Sequence, residues 1–82
     1  MTNLYYVKVS DVDYDFCFLE VSRSKNEAPF MDIKISDDRE MSFVIYSEHE
    51  EVSLLPREWL EIYEKSVTFY KTELQNQDAF IK

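Results

Sequence analysis

Residues 30–46 read FMDIKISDDREMSFVIY, and their pattern decides the fold. Phe30–Ile35 alternates apolar and charged side chains with a period of two, the spacing of a strand with one buried and one wetted face. Met41–Tyr46 is a second β-rich run, apolar on both of its faces. Between them, SDDRE offers Asp and Ser for a turn and is far too short for a helical crossover. The two runs therefore make an antiparallel hairpin.

Towards the N-terminus the pattern repeats. Phe16–Arg23 reads FCFLEVSR and Leu4–Val9 reads LYYVKV, set apart by the polar turns SKNEAP and SDVDYD. Pro29 falls just ahead of the third strand, where its missing N–H does least harm. Short spacings favour hairpins over parallel βαβ units. By alternation, Tyr5, Val7 and Val9 share a buried face with Cys17, Leu19 and Val21, and with Met31, Ile33 and Ile35. The outer face then holds Tyr6, Lys8, Phe16, Phe18, Glu20, Phe30, Asp32 and Lys34, a mixture of aromatics and charges.

Towards the C-terminus lies a helix. Pro56 suits its first position, where a lost donor would be unpaired anyway. Glu58, Glu61 and Glu64 in the early turns and Lys71 near the end match the helix dipole. Leu60, Tyr63, Val67, Tyr70 and Leu74 recur at helical spacing and define an apolar stripe. Glu61 and Lys65 form an i,i+4 pair on the polar side. Trp59, Ile62 and Phe69 widen the apolar arc beyond that stripe and are candidates for self-association. The expected fold is α+β: a four-stranded antiparallel β-meander over 4–46, with VSL at 52–54 as a candidate fifth strand, packed against one helix over 56–75. A frayed tail over 76–82 completes a single domain, 1–82.

Composition removes several function classes. The net charge is −8, with 17 acids against 9 bases, which argues against direct duplex nucleic-acid binding, since Lys and Arg supply most of that affinity. It favours a basic partner instead. Glycine is absent, so the turns rely on Asp, Asn and Ser, and glycine-dependent phosphate loops are excluded. Cys17 is the single cysteine, which precludes an internal disulfide and fits a reducing, cytoplasmic setting. The start MTNLYYVKVSDVDYDF lacks a signal-peptide pattern, and no apolar run approaches the ~20 residues of a membrane span. Neither a membrane nor a cofactor is expected as a partner.

Asp11, Asp13 and Asp15 resemble the first half of a calcium loop, but Phe16 and Ser22 stand where that loop needs glycine and glutamate. A turn built from aspartates is the ordinary reading. SEHEE, at 47–51, surrounds the chain's single histidine with Glu48, Glu50 and Glu51. A metal site wants more imidazole or thiolate than that, so a charged turn is expected. A Cys–His dyad would need Cys17 exposed, and no segment marks a pocket that would shift a carboxylate pKa. No catalytic or metal site is expected.

The acidic turns carry more information together. In a meander, the turn at 10–15 and the turn at 36–40 lie at one end of the sheet. Asp11, Asp13 and Asp15 therefore join Asp37, Asp38 and Glu40 there, while Glu48, Glu50 and Glu51 lie at the other end.

VSLLPREWLEIYEKSV, with four strands ahead of it, resembles the last strand and helix of the transcriptional-coactivator-type, Whirly-like fold that binds single-stranded DNA. That likeness implies base stacking on sheet aromatics; here Lys8 and Lys34 are offset by Glu20 and Asp32. In type, small acidic glycine-poor α+β chains are similar to bacterial immunity proteins of toxin systems and to inhibitors that imitate nucleic acid. That likeness implies stoichiometric inhibition of a basic toxin or nuclease. The expectation is a protein-binding inhibitor, not an enzyme, with Tyr6, Tyr14, Phe16 and Phe18 as anchors and the acidic turns steering encounter. The alternatives are a homodimer formed through the helix and a single-stranded nucleic-acid binder.

Overall fold

The structure, a computed structural model, describes residues 4–46 and 51–81. Four strands, β1 (Tyr5–Val9), β2 (Phe18–Ser22), β3 (Met31–Ile35) and β4 (Met41–Ile45), precede one helix, α1 (Pro56–Ile81). The sheet order is β1-β2-β3-β4, and every neighbouring pair is antiparallel. This is the expected meander and helix. Val52–Leu54 does not join the sheet.

Opposed residues of an antiparallel pair share a face. Leu19 stands opposite Ile33, Val21 opposite Met31 and Ile35 opposite Met41, so these side chains form the face beneath α1. Val21, Met31 and Ile33 are wholly buried there. The fourth strand, apolar on both faces, turns Met41, Phe43 and Ile45 to this side and Ser42 and Val44 to the open side.

The expected faces of β1 are reversed. Tyr6 pairs with Val21 and Lys8 with Leu19, so Tyr6 and Lys8 lie on the helix side, and Tyr5, Val7 and Val9 face outward. β1 is an edge strand, where helix cover thins and a lysine can keep its stem on apolar surface with its charge near water. Lys8 Nζ also meets Glu73 of α1 at 2.7 Å. Two aromatics assigned to the outer face, Phe16 and Phe30, are buried in the core. Both precede their strands, so strand alternation does not govern them. Cys17 likewise lies ahead of β2, half-buried rather than inward from a strand.

The helix departs from expectation twice. It continues through the expected frayed tail to Ile81 and spans 26 residues. No Gly or Pro stops it, and Asp78 is tied to Arg39 Nη2 at 3.0 Å. At about 1.5 Å per residue, its length accounts for most of the molecule's 42 Å long axis. It is also turned by one residue, about 100°: Glu58, Ile62, Ser66, Phe69 and Glu73 are its buried positions, the last four each one residue ahead of a member of the apolar stripe.

Three polar side chains occupy that buried face, and each is satisfied. Glu58 Oε1 accepts from the Leu55 N–H at 2.9 Å, closing one half of a capping box at the helix start. Its other oxygen holds Arg23, whose guanidinium also donates to the Ser53 carbonyl. Ser66 Oγ donates to the Tyr63 carbonyl at 2.6 Å. Glu73 accepts from Lys8 and, at 3.2 Å, from the Cys17 N–H. An unpaired buried carboxylate costs several kcal/mol, so these partners fix the rotation at which α1 docks.

Candidate partner-binding site

The turn from β1 to β2 is organised by its first aspartate. Asp11 Oδ1 accepts from the Asp13 N–H at 2.9 Å and its carbonyl from the Tyr14 N–H at 3.1 Å. Asp13 and Asp15 point into water. The turn from β3 to β4 closes through Arg39 N–H to Ser36 O at 2.8 Å and Ser36 N–H to Glu40 O at 2.9 Å. Arg39 sits at φ 68°, the left-handed position of a hairpin that elsewhere favours glycine. Asp37, Asp38 and Glu40 are exposed around it.

Because β1 and β3 run in the same direction, both turns lie at one end of the sheet. Between them is a depression of about 320 Å³ lined by Tyr14, Phe16, Phe18, Lys34, Asp37 and Ser42, among others. Phe16, 6% exposed, belongs to the core and only floors it. Tyr14 and Phe18 form its walls. Lys34 Nζ lies 5.7 Å from the Tyr14 ring centre and 5.4 Å from that of Phe18, within cation–π range, and 4.0 Å from Asp32. Its charge is thus engaged internally, as is that of Arg39 in its ion pair with Asp78, while the carboxylates of the two turns are exposed. Tyr46, farther along the open face, donates to Asp32 at 3.1 Å. Burial and then the Asp32 charge push its phenol up to about 12.

Other expected members lie elsewhere. Tyr6 is on the helix side, where its hydroxyl donates to Glu61 at 2.6 Å. Burial, then the bond to Glu61, pushes its pKa up. Glu51 is exposed, away from the depression; Glu48, His49 and Glu50 lie outside the described residues. Of the self-association arc, Ile62 is 0% exposed and Phe69 9%. Both are spent on the sheet, and only Trp59 remains at the surface. A larger groove of about 670 Å³ runs between α1 and β1 beside Tyr6, Glu61, Glu64 and Lys65. Part of its polar lining is already engaged, since Tyr6 bonds Glu61 and carries Lys65 over its ring at 5.6 Å.

Alternation did not reveal the Lys8–Glu73–Cys17 cluster, because it assigned Lys8 to the other face. Burial opposes ionisation of Glu73, but its bonds to Lys8 and Cys17 outweigh that and hold its carboxyl below the usual range. Burial, then the neighbouring Glu73, pushes the Cys17 thiol up, so it stays protonated at neutral pH. Among the described residues, no three His, Cys, Asp or Glu side chains converge on a possible metal site. No described helix is long and apolar enough to cross a membrane. No known family, curated protein or solved structure matches the chain.

Proposed function

We propose that the protein is a stoichiometric binder of a basic protein, docking through the end of the sheet that carries the 10–17 and 36–40 turns. The observation that supports this most is the pairing of an aromatic-walled depression with a carboxylate rim. Tyr14 and Phe18 supply rigid apolar contact of the kind that dominates binding energy. Asp37 lines the same depression, and with Asp13, Asp15, Asp38 and Glu40, exposed on the two adjoining turns, it favours encounter with a positively charged surface. Inhibition of a toxin or a nucleic-acid enzyme is the activity such a surface would perform, because those enzymes carry basic clefts. In that use the rim carboxylates stand in for phosphates.

The test is affinity capture from lysate of the source cells with the wild type, Tyr14→Ala, and Asp37→Lys with Asp38→Lys. The expected result is one partner of high isoelectric point, bound in equal amounts by the wild type and lost by both variants. A partner retained by both variants contradicts docking at this end. So does a captured partner that is acidic.

A further inference from the structure

The depression at the acidic end already holds a cation, and holds it loosely. Lys34 Nζ stands 5.4 Å from the Phe18 ring centre and 5.7 Å from that of Tyr14, close to the outer limit of a cation–π contact at about 6 Å. At 4.0 Å, its pair with Asp32 is the longest ion pair among the described residues. Lys34 also has a second place to go. Glu20 stands directly opposite Asp32 on the open face, and like charges so placed destabilise a sheet. Two residues along β3 from Asp32, Lys34 is the diagonal neighbour of Glu20, within reach of a long side chain. A lysine that moved there would relieve the carboxylate pair and leave both rings to a guest.

We propose that the depression takes one arginine side chain of the basic partner. Its guanidinium lies on the Tyr14 and Phe18 rings and pairs with Asp37, while Lys34 moves across to Glu20 and Asp32. The site rests on the docking end proposed above and names the partner group which that end receives. Charge complementarity selects a cation. Asp37 lines the depression, is exposed and has no ion pair among the described residues. An anionic guest would meet Asp37 and the exposed acids of both turns. Ring chemistry then selects arginine over lysine. A guanidinium is planar, more weakly hydrated than an ammonium, stacks on aromatic faces and forks to a carboxylate. Tyr14 is 53% exposed, so ring surface remains for it to stack on. After the exchange every charge involved has a partner: the guanidinium has Asp37, and Lys34 has two carboxylates instead of one at long range.

The test is a nuclear magnetic resonance titration of the full chain at low salt with N-acetylarginine amide. N-acetylcitrulline amide, of the same shape without the charge, is the control. The arginine probe should shift the Tyr14 and Phe18 ring signals saturably, and the citrulline probe should bind more weakly. Lys34→Met, which removes the resident cation, should tighten arginine binding about two- to fivefold, the ratio that one exposed cation–π contact represents. Asp37→Asn, at an exposed position, should weaken it. Glu20→Gln with Asp32→Asn should weaken it too, and by less in a Lys34→Met background, where no lysine needs to be rehoused. Equal binding of the two probes overturns the proposal, as does Lys34→Met binding no tighter than the wild type. A probe that leaves the two rings unshifted, beside a basic partner captured by the wild type and lost by Tyr14→Ala, sinks the arginine site and leaves the docking end standing. Saturable arginine binding with no basic partner captured supports the site and contradicts the docking role.

Discussion

Arg39 shows what a chain without glycine does at a turn that favours one. Its positive φ costs a side chain about 1–2 kcal/mol. The surrounding structure holds it there: its carbonyl accepts from Tyr70, and its guanidinium reaches Asp78. In an Asp78→Ala background, which removes the ion pair, Arg39→Gly is expected to raise stability. The gain should be about 0.5–1 kcal/mol, the relief of backbone strain less the extra freedom glycine gives the unfolded chain. Urea denaturation measures it, and an unchanged or lower midpoint would contradict this view of the turn. Glu73 makes a pH prediction. Its folded pKa is depressed, so its contribution is present above the ordinary carboxylate pKa and is lost as pH falls through the folded value. Lys8, raised chiefly by its bond to Glu73, behaves oppositely: its contribution is present below the ordinary lysine pKa and lost as pH rises through the folded one. Glu73→Gln should therefore cost about 1.5–3 kcal/mol at neutral pH, the scale of a charge-assisted hydrogen bond, and flatten the acid limb of stability against pH. An acid limb as steep as the wild type's would show that Glu73 is not its source.

At the scale of elements, the rotation of α1 distinguishes two sets of residues that the sequence presents as equals. Ile62 is enclosed by the sheet and Leu60 is not. Ile62→Ala should cost about 2–5 kcal/mol, the range for a buried aliphatic truncated to alanine; Leu60→Ala should change monomer stability by less than about 0.5 kcal/mol, as exposed substitutions do. Equal losses would mean that the apolar stripe packs on the sheet after all. Four strands, their order and the helix start were legible because period-two runs and Pro56 are local signals. Which face of β1 turns inward was not, because Tyr5, Val7 and Val9 are the more apolar set and lose only through cross-strand register. The helix rotation was hidden for the same reason. It follows from long-range bonds of Glu58 to Arg23 and of Glu73 to Lys8, which no periodicity encodes.

For the whole molecule, the meander converts three separate sequence features into one surface. Hairpin topology alone predicts that the aspartate turns meet at one end, and the structure has them there. Tyr14 and Phe18 were recognisable as aromatics near that end. The engagement of Lys34 between them was not, because it depends on the packing of two rings contributed by different segments. Steering by such a rim acts mainly on the rate of encounter and is weakened by salt. The most direct measurement is therefore the association rate with the captured partner, at low and moderate salt, for the wild type and for Asp37→Lys with Asp38→Lys. The expected result is a rate that falls by about tenfold or more on charge reversal and loses its salt dependence, with dissociation little changed and the melting temperature preserved. An association rate indifferent to both salt and charge reversal, or a collapse of the melting temperature with association unchanged, would contradict the acidic end as the docking surface.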